Sequence, residues 1–347
     1  MLYCFNFFTI VLLDVKTMDA IDTQGMYKVY DRWPEIARDA YHTDLEPVNY
    51  SGIDHIVFAG MGGSGAIGDL FASILSKNDI HVNVVKGYLL PKTVDANTLV
   101  VCTSISGNTV ETLTVLESAS RLPCKVTAFS SGGIMETICH SNKIVFRKIP
   151  MTHSPRASFV AFVYSMLHVL DSVLPIQKSD ILESIENLVE QSAKISSANL
   201  SQNNMSLNLA EFLEGMPCIY YPHGLYAAAI RFKNSLQENS KMHAFTEDVI
   251  EACHNGIVAW EGSVNTCPVL IRGTQDYAKT QERWGIIKQY FDQNNTKYIE
   301  VKSVEGNILS KIVCLIYLLD YCSIYRAVIT GVDPSPVKSI DFIKDRL

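Results

Sequence analysis

Thr98-Leu99-Val100-Val101-Cys102-Thr103-Ser104-Ile105-Ser106-Gly107-Asn108-Thr109-Val110-Glu111-Thr112 sets an apolar strand directly against a hydroxyl-rich turn and the opening of a helix. A helix start leaves backbone N–H groups without partners and carries partial positive charge, so hydroxyl donors placed there suit a phosphate dianion. Ser104, Ser106 and Thr109 are the candidate phosphate ligands. The plainer alternative is an ordinary Ser/Thr helix cap.

Outward from this turn, short apolar runs alternate with helix-length periodic stretches, the pattern of a parallel sheet wrapped by helices. The strands fall at Ile53–Ala59, Ile80–Val85, Thr98–Thr103, Lys125–Phe129 and Lys143–Arg147, with helices at Ser64–Lys77 and Thr109–Ser120. This predicts an α/β fold with a parallel, flavodoxin-like sheet flanked by helices. Ligands of such sheets bind beyond the carboxyl ends of the strands. A second turn, Gly60-Met61-Gly62-Gly63-Ser64-Gly65, also lies there, so the two are expected to share one crevice, with Gly62, Gly63 and Ser64 facing the serine turn. The glycine turn formally matches the dinucleotide fingerprint, but the second strand ends in Val84-Val85-Lys86-Gly87 and supplies no acid for a ribose. No Gly-x-x-x-x-Gly-Lys-Ser/Thr loop occurs, which argues against nucleotide hydrolysis. Glycines needed only for tight strand-to-helix packing are the alternative here.

The chain of 347 residues is long enough for two domains, each with its own core. Its net charge of −7 offers no broad basic surface for a nucleic acid. Nine cysteines without a Cys-x-x-Cys pair read as buried thiols in a reducing cytoplasm, and no metal-ligand spacing such as His-Glu-x-x-His is present. The apolar start, Met1–Leu13, has no Lys or Arg and is too short to span a bilayer. Residues 1–17 read as an N-terminal extension ahead of Met18, or as a peripheral strand. Residues 18–155 form the first domain and 156–204 a helical connector, built from the apolar stretch Arg156–Ile176 and the polar stretch Gln177–Asn204. Residues 205–347 form a second domain with a terminal helix. Its strands are expected at Cys218–Tyr221, Met242–Phe245, Val269–Arg272 and Tyr298–Val301, with helices near Leu225–Leu236, Asp276–Gln293 and Asn307–Ile329. The last is apolar on most faces, yet Lys311, Asp320 and Arg326 interrupt it, which favours a core helix over a membrane span.

The pairing of Gly-Met-Gly-Gly-Ser-Gly with Ser-x-Ser-Gly-Asn-Thr-x-Glu-Thr resembles the sugar isomerase (SIS) domain, which binds phosphorylated sugars. Gln237-Glu238-Asn239-Ser240-Lys241, followed by His254-Asn255, is similar to the bifunctional phosphoglucose/phosphomannose isomerase family, a two-SIS-domain branch of the phosphoglucose isomerase superfamily. The resemblance runs from about Tyr27 to the end of the chain. It implies interconversion of glucose 6-phosphate and fructose 6-phosphate, with mannose 6-phosphate as a further substrate, through a cis-enediol(ate) and without cofactor or metal. It further implies a homodimer, while the thiols, the charge and the lack of a spanning segment predict a cytoplasmic protein with no nucleic-acid or membrane partner.

Such a reaction removes a proton beside a carbonyl and returns it to the neighbouring carbon. That work needs a carboxylate near both carbons, its pKa lifted toward neutrality by partial burial. The resemblance gives this role to Glu238, which on sequence alone also reads as an exposed loop residue. Ring opening suits a histidine. His254 matches the family's ring-opening residue, which is donated across the subunit interface, although a helix-end cap before Asn255-Gly256 is the simpler reading. Arg156 matches the cation that steadies the enediolate, a task its planar fork suits, against the alternative of a surface arginine. Lys344 resembles the lysine that assists ring opening. A hydroxyl residue linked to mannose acceptance falls within Asp333–Ser339, where no single counterpart is fixed, and Val337 would lack the hydroxyl. The competing functions are a non-catalytic sugar-phosphate sensor and an amino-sugar phosphate isomerase.

Overall fold

In the computed structural model, residues 13–262 and 265–346 are described. Three short helices, α1 (Val15–Ile21), α2 (Met26–Asp31) and α3 (Trp33–Tyr41), precede the first sheet. That sheet follows as β1 (His55–Ala59), α4 (Gly62–Leu75), β2 (His81–Val85), β3 (Thr98–Thr103), α5 (Val110–Ala119), β4 (Lys125–Ser130), α6 (Gly133–Ser141) and β5 (Val145–Lys148). All five strands are parallel, in the order β2-β1-β3-β4-β5. Every residue of β1 and β3 is buried, which is why both read as unbroken apolar runs.

Helices α7 (Phe159–Val169), α8 (Lys178–Ile195) and α9 (Met205–Phe212) lead to the second sheet. It comprises β6 (Met216–Tyr221), α10 (Tyr226–Asn239), β7 (Phe245–Asp248), α11 (Val249–Ala252), β8 (Thr266–Arg272), α12 (Ala278–Gln293) and β9 (Ile299–Lys302). These strands are again parallel, in the order β7-β6-β8-β9. Helices α13 (Ile308–Ile329) and α14 (Lys338–Lys344) complete the chain. The α/β architecture with two parallel sheets is as expected.

Four local expectations need correction. Helix α1 crosses the expected boundary at residue 17: the Asp14 carboxylate accepts the Thr17 amide at 2.7 Å, and Met18 is fully buried. Residues from Leu13 onward therefore belong to the folded body, while residues 1–12 lie outside those described. The connector Gln177–Asn204 is helical only as far as Ile195, where α8 stops, and the Asn204 side chain caps α9 by accepting the Leu207 amide. Strand β7 begins at Phe245 rather than Met242, since Lys241 turns the chain out of α10 in a left-handed conformation, φ +55°. Finally, the two halves do not keep separate cores. One apolar cluster runs from Met18 and Trp33 through Phe71, Phe159 and Phe232 to Tyr325, with smaller clusters on the outer face of each sheet.

Helix α13 is the spine of that shared core, packing on α8, α9 and α10. Among the described residues it is the one helix long and apolar enough to cross a membrane, but 89% of its apolar window is buried inside the protein. Trp33 stacks between Tyr30 and Tyr317 at 4.9 and 5.1 Å, fixing the N-terminal helices to it. Helices α4 and α10, which follow the first strand of each sheet, pack on each other. The expected crevice and the Glu238 helix are thereby adjacent.

Candidate active site

Strands β1 and β3 are neighbours in register, Ala59 opposite Cys102, so the turns that leave them emerge side by side. The glycines divide the work. A Cβ on Gly60 would stand 2.9 Å from the Thr103 carbonyl oxygen, and one on Gly65 would stand 2.8 Å from the Gly60 oxygen. These two serve packing. Gly62, with φ +53°, opens α4 with no neighbour in front of it, and Gly63 lies against Arg156, 3.4 Å from its Cα to an added Cβ. The Ser64 hydroxyl accepts the Ile105 amide at 3.2 Å and so joins the two turns.

The serine turn is internally braced. Ser104 is buried, donates to the Thr109 hydroxyl at 2.9 Å and accepts the Gly107 amide. Ser106 is half-buried and accepts the Asn108 amide. Thr109 precedes α5 without spending its side chain on a cap, and α4 likewise begins without a side-chain cap, so N–H groups at both helix starts keep capacity for an anion. Gly107 has φ +74°, and an added Cβ would run into the Gly132 carbonyl. Lys86, where a dinucleotide site would place an acid, is instead paired with the buried Asp69. Burial pushes the Asp69 carboxyl up, against the hydrogen bond from Lys86.

Arg156 sits in the turn before α7 rather than opening it, and is buried. Its Nε donates to Asn239 Oδ1 at 2.8 Å, and its Nη2 donates to the carbonyls of Pro334 and Ser335 at 2.6 and 2.8 Å. Its Nη1 lies 3.7 Å from Glu238 Oε2. Glu238 is in the last turn of α10, its side chain 25% exposed, so the exposed-loop alternative does not hold. The chain thus brings together Gly62, Gly63, Ser64, Ser104, Ser106 and Thr109 in one pair of turns, which abuts Arg156 and, through it, Glu238.

His254 and Lys344 are not part of this assembly within one chain. His254 follows α11 and is exposed, and among the described residues its ring makes no hydrogen bond. Lys344 ends α14, a helix without a buried residue that exposes Ile340, Phe342 and Ile343. Of the candidates for the hydroxyl position, Ser335 touches Arg156 through its carbonyl, and its own buried hydroxyl lacks a partner among the described residues. Val337 is the residue before α14.

Several neighbours carry no motif. Lys241 donates to the carbonyls of Glu238, Pro334 and Pro336, while burial and the Arg156 cation push its ammonium pKa down. His153, at φ +61°, has both ring nitrogens buried without a partner among the described residues. Behind Arg156, the buried Arg231 donates to the Asp320 carboxylate and to the Arg156 carbonyl, and its guanidinium stacks 4.0 Å from the Phe159 ring. Tyr30 and Ser235 also donate to Asp320. Asp320 left a trace in the sequence: a charge inside an apolar helix demands a buried partner. Among the described residues no cluster of His, Cys, Asp and Glu is arranged to hold a metal. A groove lined by Glu211, Asn265, Cys267 and Lys297 opens elsewhere, near the amino ends of β6 and β8, and contains none of these groups.

Residues 50–174 match the SIS domain family, and residues 202–347 match the bacterial phospho-glucose isomerase C-terminal SIS domain. The chain is 31% identical over 340 residues to a bifunctional phosphoglucose/phosphomannose isomerase of Caldicellulosiruptor bescii, covering 93% of this chain and 98% of the relative. It is 30% identical to the protein of that name from Aquifex aeolicus, covering 93% and 96%. Among solved structures, the C-terminal domain of glucosamine-fructose-6-phosphate aminotransferase from Francisella tularensis superposes with a TM-score of 0.66 at 17% identity, over 89% of this chain and 96% of that one. That likeness extends to the fold.

Proposed function

Because the chain belongs to the bifunctional phosphoglucose/phosphomannose isomerase family, we propose that it interconverts glucose 6-phosphate and fructose 6-phosphate, and also takes mannose 6-phosphate. The observation that carries the reading is the placement of a carboxylate and a buried guanidinium together, against the glycine turn that Ser64 joins to the hydroxyl-lined turn. The phosphate is held by the backbone at Gly62 and Gly63 and by Ser64, Ser104, Ser106 and Thr109. Glu238 takes the proton from C2 of the open-chain aldose, leaving an enediolate across C1 and C2. It returns that proton to C1 while the hydroxyl proton on O2 passes to O1, so that C2 becomes the carbonyl of the ketose and no atom is gained or lost. Arg156 faces the developing negative charge from a buried position, and such fixed positive charge is worth on the order of 3 kcal/mol per donor. Mannose 6-phosphate differs only at C2, whose configuration is lost in the enediolate, and Ser335 offers a hydroxyl beside Arg156.

His254 opens the ring in the partner's site, and Lys344 assists. The exposure of both residues, and of the apolar side chains on α14, supports assembly as a homodimer. The eight cysteines that are described are all free thiols, in keeping with a cytoplasmic enzyme. Metal-independence is part of the proposal.

The test is a coupled assay with each hexose 6-phosphate, run with and without EDTA. Equal turnover in both conditions supports the reading. Thermal stabilisation by sugar phosphate without turnover would instead identify a non-catalytic sensor, and turnover of amino-sugar phosphates alone would point to an amino-sugar isomerase. Mixing His254→Ala with Glu238→Gln tests the dimer, since a shared site regains activity in the mixed species and separate sites do not.

A further inference from the structure

A guanidinium carries five N–H donors in a rigid plane. In Arg156 the Nε–H and both Nη2–H groups are engaged, by Asn239 and by the carbonyls of Pro334 and Ser335. Among the described residues the Nη1–H pair is left without an acceptor, and it is turned toward the Glu238 side. The enediolate has two oxygens, so the way this fork is held decides whether that pair is presented to them.

Resting on the isomerase reading above, we infer that Asn239 is a positioning residue that locks the Arg156 fork with Nη1 toward the substrate. Asn239 is fully buried at the end of α10, directly after Glu238. Its amide orientation is dictated by its partners: Arg156 can only donate, so Oδ1 faces Nε, while Nδ2 donates to the Ser323 hydroxyl at 2.8 Å. Ser323 in turn donates to the Asp320 carbonyl at 2.6 Å, which ties the amide to α13, the spine of the core. One side chain thus fixes the base and its electrophilic partner in a single frame, because Glu238 and Asn239 are consecutive on the same helix. A neutral amide matters here. A carboxylate at this position would hold Nε as firmly but would place a second negative charge beside Arg156, lowering the positive potential offered to the enediolate.

The test compares wild type with Asn239→Ala, Asn239→Asp and Ser323→Ala, measuring kcat, KM, and affinity for two ligands. One is a sugar-phosphate hydroxamate that mimics the planar enediolate; the other is a sugar-alcohol phosphate that mimics the open-chain substrate. Asn239→Ala is expected to lower kcat about 10- to 100-fold with KM changed less than about threefold, and to weaken the hydroxamate far more than the sugar-alcohol phosphate. Asn239→Asp, close to isosteric, is expected to show the same split, and Ser323→Ala a smaller loss of the same kind. If Asn239→Ala does not fold, Ser323→Ala decides alone, because Asn239→Asp keeps Nε held and reads the added charge: the same split supports the lock, and unchanged kcat overturns it. Equal weakening of both ligands, or kcat falling only with the folded fraction, would overturn the inference and leave the isomerase reading intact. Failure of the wild-type protein to isomerise any hexose 6-phosphate would overturn the reading itself.

Discussion

Replacing Glu238 by Gln tests the proposed base while leaving the surrounding packing in place. The carboxylate sits at the carboxyl end of α10, where a negative charge opposes the helix dipole, and its charged partner is Arg156 at 3.7 Å. A pair of this length with a quarter-exposed member is worth about 0–1 kcal/mol, and relief of the dipole offsets part of that. Arg156 keeps its three other acceptors. Folding stability should therefore change by less than about 1 kcal/mol, and affinity for sugar phosphate should hardly move. A positioned general base contributes roughly 10²–10⁴ to the rate, or about 3–5 kcal/mol of barrier. The expected outcome is an unchanged melting curve, phosphate-ligand binding within about threefold of wild type, and kcat reduced at least about 100-fold, with no exchange of the C2 proton into deuterated water. Retention of more than about a tenth of wild-type kcat would refute Glu238 as the base. A loss of binding as large as the loss of rate would refute the claim that it acts on the proton rather than on the phosphate.

Three further outcomes follow from the geometry. Gly107→Ala must hold a left-handed φ and displace the Gly132 carbonyl, so calorimetry should show about 3 kcal/mol or more of destabilisation together with a raised KM, whereas Gly63→Ala, with 3.4 Å of room, should melt close to wild type. Burial pushes the His153 imidazole below its usual value, with Asp22 opposing and Arg156 adding, so the unfolded chain takes up the proton first. Stability from this group is therefore present above about pH 6.5 and is lost as pH falls below it; His153→Asn, which also suits φ +61°, should flatten that slope in denaturant melts between pH 7 and 5. Asp320→Ala leaves the Arg231 guanidinium buried without its counter-charge and should cost about 3–5 kcal/mol in urea unfolding.

What the sequence discloses and what it hides follow from the range of the interactions. Strands β1 and β3 are legible because both faces are covered, which forces continuous apolar runs, and the two turns are legible because glycine and hydroxyl chemistry there is local. Strand β7, Phe245-Thr246-Glu247-Asp248, lies at a sheet edge and is only partly buried, so no apolar run marks its true start. The acceptors of the Arg156 side chain are 83 to 179 positions away, and no spacing rule reaches that far. Family likeness could point to Arg156 and Glu238 but not to the hydrogen bonds that orient them. Pro222-His223-Gly224 shows the converse: it occupies the place of the glycine turn in the second sheet, yet forms a single tight helical turn, so architectural repetition does not carry a second cradle.

Two carboxylates lie in the network around Arg156, and their surroundings decide which can move a proton. Asp320 is wholly buried; its Oδ2 accepts from Arg231 Nε, Arg231 Nη2 and Tyr30, and its Oδ1 accepts from Ser235. Four donors occupy this carboxylate, so its oxygens are committed to holding Arg231, Tyr30 and Ser235 in place. Such a pair is weak as a source of stability, since well-packed apolar residues often do as well. Its use here is orientation, because Arg231 spends a donor on the Arg156 carbonyl and so fixes the backbone that carries the proposed enediolate-stabilising cation. Glu238 is the opposite case. Among the described residues its carboxylate accepts no hydrogen bond, it is partly open, and its one charged neighbour stands back at 3.7 Å. Lone pairs left free on one carboxylate and committed on the other support the proposal that Glu238 moves the proton, with Asp320 as the anchor that keeps Arg156 in place.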